Sequence, residues 1–223
     1  MDKEPTLIAR SGRHIFLLGS LLGLLIASAF FEHGKGLFNA LLSITLLSSV
    51  YAISHDKRFL VTGLIIAIAT FLCAWLEQML ALQALGLVSS FLGFVFFQFT
   101  AAIILLHIFR APTITIDELL GAISTYLLLG IGGGFIFQFL EILDPNTLLG
   151  SADVVVELTA DSPMNLFIYY SFTCLTTLGF GDLIPGTPEA RVFSFLSAVI
   201  GQMFLTVLIA RFVGLHISQL RRD

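Results

Sequence analysis

Long apolar runs separated by short polar segments dominate the chain, and a membrane-spanning helix needs about 17–25 mostly apolar residues. The runs are too long and too rich in leucine and glycine to be barrel strands, and helices satisfy their own backbone hydrogen bonds in lipid. The pattern therefore predicts an all-α membrane protein with six transmembrane helices. The six predicted spans are Ile15–Phe31, Leu37–Ile53, Phe59–Leu76, Val88–Phe109, Leu119–Leu140 and Val192–Leu215.

A shorter apolar stretch, Met164–Thr176, lies between the last two spans. Its roughly 13 residues would reach only about 20 Å as a helix, which is too short to cross a bilayer. Ser162 is a suitable N-cap, Pro163 suits the first helical position, and Asp161 is favourable near a helix N-terminus. We therefore predict a re-entrant helix over 163–176, whose partly negative C-terminus favours a cation at the membrane centre.

The segment TTLGFGD, 176–182, follows this short helix. Irregular backbone at membrane depth is tolerated only where protein buries it or where it lines a watery path. Gly179 and Gly181 can adopt conformations that other residues resist, and their spacing lets successive carbonyls point the same way. A ring of such carbonyls from several chains can replace the water shell of a potassium ion, and the Thr177 hydroxyl can add another oxygen layer. The alternative is a glycine-rich loop that only joins two helices.

TTLGFGD resembles the selectivity filter of tetrameric potassium channels, which usually reads T-x-G-[YF]-G-D. The resemblance covers about residues 115–216 and implies an outer helix, a pore helix, the filter and an inner helix. It implies that the filter runs from Thr176 to Gly181 and that Asp182 caps its outer mouth. By this resemblance the ion ligands are the Thr177 hydroxyl and the backbone carbonyls of Thr177, Leu178, Gly179 and Phe180.

The sequence departs from the family's usual filter at several positions. Phe180 replaces the commoner tyrosine and lacks the hydroxyl that ties the filter to the pore helix, and Leu178 replaces the usual valine. Tyr169 and Tyr170 stand where pore-helix aromatics usually brace the filter, and Thr173 stands where some members pair a glutamate with the filter aspartate. The resemblance thus implies filter support from Tyr169, Tyr170 and Thr173. A looser filter can inactivate or leak sodium.

The last span, Val192–Leu215, resembles the inner helices of small bacterial members through the run IGQMFLTVLIARFVG. Gly201 lies at mid-span and is either the inner-helix hinge or a packing glycine. The residues predicted to line the cavity are Gln202, Leu205 and Ile209. Arg211, near the inner mouth, faces either lipid headgroups or an acid of a neighbouring chain.

The first four spans lack the charges of a voltage sensor. Moving one charge across 100 mV yields only about 2.3 kcal/mol, so a sensor needs several Arg or Lys within a span. The fourth span has none. We expect no steep voltage dependence from the N-terminal domain, residues 1–110. It either surrounds the pore domain, residues 111–223, or senses lipid, tension or a small molecule.

The distribution of Lys and Arg predicts that both termini are cytoplasmic. The small size of the chain and the few residues after the last span indicate the inner membrane of a prokaryote. The first span also resembles a signal peptide with a cleavage site at Ala27-Ser28-Ala29, and we favour a retained helix. Basic residues on the predicted cytoplasmic side are Lys3, Arg10, Arg13, Lys57, Arg58, Arg110, Arg211, Arg221 and Arg222, against Lys35 and Arg191 outside.

One filter copy per chain cannot encircle an ion, so we predict a passive, potassium-selective homotetramer. The expected partners are membrane lipids and potassium as the permeant ion, with no other cofactor and no nucleic acid. Neither a nucleophile–base set nor a cofactor motif indicates an enzyme. The alternatives are a weakly selective cation channel, a non-conducting accessory or sensory membrane protein, and a potassium transporter, although related transporters usually carry four imperfect filter copies in one chain.

Overall fold

The computed structural model describes residues 13–30, 35–54, 57–80, 82–111, 115–150 and 164–220. These residues form helices and one small two-stranded sheet. In chain order the elements are α1 (Arg13–Phe30), α2 (Lys35–Ala52), α3 (Lys57–Leu80), α4 (Gln83–Arg110), α5 (Ile116–Leu143), β1 (Leu148–Gly150), α6 (Met164–Leu175), β2 (Leu183–Pro185) and α7 (Pro188–Leu220).

Among the described residues, four helices are long and apolar enough to cross a membrane: α3, α4, α5 and α7. The first two predicted spans fall on α1 and α2, each 18 residues long. The apolar stretches of these two helices, His14–Ala27 and Gly36–Ala52, are shorter. This pattern is that of a multi-pass, all-α membrane protein.

Helix α5 is the centre of the fold. It packs against two helices that precede it in the chain, α1 and α4, and against two that follow it, α6 and α7. Helices α2 and α3 complete the bundle between α1 and α4. About 67% of the 18-residue apolar stretch of α5 is buried, against 11% of the corresponding stretch of α7. The long apolar face of α7 is therefore open within a single chain.

Glycines let other helices approach α5 closely. A Cβ at Gly134 would lie 3.0 Å from the backbone of Ile168 in α6, and a Cβ at Gly130 would overlap the ring of Phe172. A Cβ at Gly132 would press on α4 instead, 3.0 Å from the Cβ of Phe97. Small residues at such crossings permit close packing of membrane helices. The glycines between Gly130 and Gly134 therefore position the short helix α6.

The two-stranded sheet was not predicted from the sequence. Its antiparallel strands pair Leu148 with Pro185 and Gly150 with Leu183. The Gly186 N–H extends the pairing by donating to the Thr147 carbonyl at 2.9 Å. This sheet joins the end of α5 to the segment that follows the predicted filter.

Candidate ion pathway

The short helix α6 is buried between its neighbours. Phe167, Ile168 and Tyr170 are nearly inaccessible, and the Ser171 hydroxyl donates to the Gly130 carbonyl of α5 at 2.7 Å. The helix spans Met164–Leu175, within the predicted 163–176. The predicted capping residues Asp161, Ser162 and Pro163 lie outside the described residues.

The C-terminus of α6 is fixed from two sides at the Leu175 carbonyl. The Tyr126 hydroxyl of α5 donates to this oxygen at 3.3 Å. On the other side lies Gly201 of α7, where an added Cβ would overlap the same oxygen. Gly201 thus has a packing role in this structure, and its role as a hinge stays a prediction.

In the backbone after α6, positive φ angles recur at every second residue. Thr177, Gly179 and Gly181 have positive φ angles of 59°, 54° and 80°, whereas the intervening Leu178 and Phe180 do not. Alternation between left-handed and right-handed conformations turns successive peptide groups toward the same side. The Gly179 N–H donates to the Thr173 carbonyl at 3.2 Å, which anchors the segment to α6.

Thr177 is the residue whose conformation the sequence did not reveal. A positive φ is unfavourable for a β-branched residue, and such strain costs on the order of 1–3 kcal/mol. Its N–H donates to the Cys174 carbonyl at 2.9 Å, which helps to hold it there. The preceding Thr176 directs its hydroxyl back to the Phe172 carbonyl at 2.7 Å. The Thr176 hydroxyl is thus occupied within α6.

Asp182 is held at the end of this segment by Tyr169. The Tyr169 hydroxyl donates to Asp182 Oδ2 at 2.6 Å, and the Leu183 N–H donates to Oδ1 at 3.0 Å. The hydrogen bond from Tyr169 is the main reason that the pKa of Asp182 is lowered. The Tyr169 ring also stacks on Phe180, with centroids 6.3 Å apart and planes 7° apart. One side chain therefore contacts both ends of the sequence FGD.

The other two predicted supports contact different groups. Tyr170 shares a 2.7 Å hydrogen bond with Ser194 of α7 and packs edge-on against Phe137 of α5 at 4.8 Å. The Thr173 hydroxyl donates to the Tyr170 carbonyl at 2.8 Å, so it stays within α6 rather than reaching Asp182. Sequence reasoning missed Ser194, because a serine near the start of an apolar helix carries no signal of its partner.

The predicted filter is exposed within one chain. Leu178 and Phe180 are 58% and 65% accessible although both are large and apolar. The predicted cavity residues Gln202, Leu205 and Ile209 are also exposed, and they share one face of the continuous helix α7. Among the described residues, no group of three or more His, Cys, Asp or Glu side chains is placed to hold a metal ion.

Comparison with known proteins matches residues 126–216 to the family model described as "Ion channel". Neither the curated proteins nor the solved structures gave a match. The matched range contains most of α5, all of α6, the segment with alternating φ and α7 as far as residue 216. Residues 126–216, fewer than half of the chain, are therefore similar to an ion channel domain, and this similarity supports assignment to the potassium channel family.

Proposed function

We propose that the chain is the subunit of a potassium-selective channel that conducts passively through a homotetrameric pore. The observation that carries this proposal is the positive φ at every second residue from Thr177 to Gly181, directly after a buried helix that ends in the protein interior. Aligned carbonyls of Thr177, Leu178, Gly179 and Phe180, with the Thr177 hydroxyl, form the ion sites when four chains meet. Potassium is the permeant ion, and no other cofactor is required.

Four copies are needed because one strip of carbonyls covers only one side of an ion. The exposed apolar face of α7 and the exposed side chains of Leu178 and Phe180 support burial against neighbouring copies. In this arrangement α6 is re-entrant, and its partly negative C-terminus points at the four-fold axis. Gln202, Leu205 and Ile209 then line the cavity below the filter.

The membrane placement has six spans, with α1 to α5 and α7 crossing the bilayer and both termini in the cytoplasm. The positive residues at the α2–α3 and α4–α5 connections, including Lys57 and Arg110, support this orientation. Asp182 then faces the external solution. The localisation that follows is the cell membrane of the producing organism.

Contacts of Tyr169 and Thr173 support the rigidity that selectivity requires. Tyr169 bonds to Asp182 and stacks on Phe180, while the Thr173 carbonyl holds the Gly179 N–H. These contacts offset the missing hydroxyl of Phe180. We therefore favour potassium selectivity over a leaky filter.

The test is current through the purified protein in a planar bilayer, with potassium on one side and sodium on the other. We expect a reversal potential near the potassium equilibrium value and block by external barium. Gly179→Ala should abolish current, because an L-residue resists the positive φ at this position. Gly214→Ala should conduct normally, because nothing lies within 4 Å of a Cβ at Gly214.

The second candidate function is a weakly selective cation channel, favoured by the absence of a ring hydroxyl at Phe180. A reversal potential near zero with substantial current would select it. The third candidate is a non-conducting accessory or sensory protein. Absence of current with folded tetramers, across voltage and lipid composition, would select that one.

A further inference from the structure

A cavity of about 380 Å³ lies among α4, α5 and α7, away from the predicted filter. Its walls are almost entirely apolar, with Leu105, Leu129 and Val207 contributed by the three helices in turn. The hydroxyl of Thr125, one of its few polar groups, is already bonded to the Gly121 carbonyl at 2.8 Å. A volume in this range is typical of ligand sites, which measure roughly 300–1,000 Å³.

The cavity and the predicted pore face occupy opposite sides of α7. Met203 and Val207 face the cavity, whereas Leu205 and Ile209 belong to the face predicted to line the pore. At about 3.6 residues per turn, these two sets are separated by roughly half a turn around the helix. A molecule bound in the cavity would therefore contact α7 on the face opposite the one predicted to line the pore.

Arg211 stands one turn beyond Val207 on the cavity side of α7. Its Nη2 donates to the carbonyls of Phe109 at 3.0 Å and Ala111 at 3.1 Å, and Phe109 itself lines the cavity. The Nε atom is buried with no hydrogen-bond partner, and no carboxylate of the described residues forms an ion pair with Arg211. The backbone carbonyls accept hydrogen bonds but do not neutralise the positive charge of Arg211. Arg110, at the end of α4, adds a second positive charge.

We propose that the cavity binds one acyl chain of an anionic phospholipid whose phosphate pairs with Arg211. A guanidinium matches phosphate in geometry and charge, and basic pockets between transmembrane helices bind anionic headgroups. An acyl chain suits the apolar walls, and the surrounding bilayer supplies it. The lipid bridges α4 of the N-terminal domain and α7 of the pore domain.

This inference depends on the membrane placement under the proposed function and is independent of ion selectivity. Its test is native mass spectrometry of the purified full chain after exposure to phosphatidylglycerol or phosphatidylcholine. The spectra count retained lipids and report the oligomeric state without measuring current. Failure of lipid binding is therefore distinguishable from failure of conduction.

We expect wild-type protein to retain phosphatidylglycerol in preference to phosphatidylcholine. Arg211→Gln should lower phosphatidylglycerol retention about tenfold, as for loss of a hydrogen bond to a charged group. Arg211→Lys should keep part of the preference for the anionic lipid. Ala102→Phe should lower retention of both lipids, since Ala102 lines the cavity and its exposed side chain can be enlarged without disturbing the core.

The matched control is Lys57→Gln, which removes an exposed positive charge at the start of α3, on the same predicted side of the membrane. It should retain phosphatidylglycerol like wild type, and excess inorganic phosphate should not displace the lipid. Unchanged retention in Ala102→Phe or Arg211→Gln would overturn the proposal. If Arg211→Gln dissociated the tetramer and left the number of lipids per chain unchanged, Arg211 would instead pair with an acidic residue of a neighbouring chain.

Discussion

At the scale of single residues, the predicted filter depends on a few precise backbone contacts. Thr177 is held at positive φ although it is β-branched, and Gly179 is anchored to the Thr173 carbonyl. Tyr169 joins Asp182 and Phe180 through one hydrogen bond and one ring stack. A strained backbone persists only where several surrounding contacts hold it in place. Tyr169 provides two such contacts to the predicted filter, so it is the residue to mutate.

Tyr169→Phe should keep the ring stack and remove the hydrogen bond to Asp182. We expect potassium current to decline several-fold faster during sustained opening, because the external end of the filter loses its tie to α6. The measurement is the rate of current decay in symmetric potassium. A decay rate equal to that of wild type would show that this hydrogen bond does not hold the filter.

The same pair predicts a dependence on external pH. Because the pKa of Asp182 is lowered, the hydrogen bond from Tyr169 to the carboxylate contributes its full stability at pH values above the ordinary aspartate pKa. This stability is lost as the pH falls through the lowered pKa of Asp182. Wild-type current should therefore persist into stronger acid than the current of Tyr169→Phe. Recordings between about pH 3 and pH 7 bracket the ordinary aspartate pKa of about 3.9.

Asp182→Asn is the control for this titration, because it removes the ionisable group. It should show no transition attributable to this position. An acid midpoint identical in wild type and Tyr169→Phe would contradict the assignment of the lowered pKa to the tyrosine hydrogen bond.

At the scale of elements, the contact between α6 and α7 at Gly201 separates packing from hinge motion. Gly201→Ala places a Cβ against the Leu175 carbonyl, and overpacking typically costs about 1–3 kcal/mol. Gly214→Ala, on the same helix, meets nothing and should instead gain up to about 1 kcal/mol in helix propensity. We expect the thermal unfolding midpoint to fall for the first variant and to hold or rise for the second.

If Gly201 acted only as a hinge, Gly201→Ala would change channel opening and leave the unfolding midpoint unchanged. Measuring the unfolding midpoint and the open probability on the same preparation distinguishes the two roles.

The sequence predicted the elements near the candidate site better than their mutual contacts. TTLGFGD and the preceding short apolar stretch placed α6 and the irregular segment, because both signals are local. The three-residue strands β1 and β2 are too short to show a period of two. The contacts of Tyr126 and Ser194 join residues 49 and 24 positions from their partners, and no local pattern encodes such pairs.

At the scale of the whole molecule, helices α1 and α4 pack directly on α5, the first helix of the predicted pore domain. Helix α1 contacts the first turn of α5 through a 2.9 Å pair between His14 Nδ1 and Asp117 Oδ2, and Gly121 lies beneath the imidazole. Both side chains are largely buried, at 15% and 20% exposure. This packing favours a first helix that is retained rather than cleaved.

A double-mutant cycle of His14→Ala and Asp117→Ala should give a coupling of at least about 0.5 kcal/mol in unfolding free energy, as residues in contact typically do. The intact mass of the purified protein should include α1. Zero coupling, or a mass that lacks the first helix, would contradict this packing.

Helix α4 carries His107 and Arg110 as basic residues only in its last turn. A tenfold change in open probability corresponds to about 1.4 kcal/mol. Moving one charge across the whole membrane at 100 mV supplies about 2.3 kcal/mol, so more than half of a full charge would have to cross. We therefore expect open probability to change by less than about tenfold per 100 mV. Voltage steps in symmetric potassium test this expectation, and a steeper response would place gating charge within the pore domain.

The central position of α5 has a consequence for biogenesis. Membrane helices insert first and associate afterwards, and α1 and α4 both pack on a helix that follows them in the chain. In the six-span placement, α1 can therefore pack on α2 during translation but lacks its contact with α5 until residues 116–143 have been inserted. Ribosome-bound chains that stop before α5 should leave the α5-facing side of α1 accessible to lipid-borne crosslinkers, and chains that extend past α5 should protect that side.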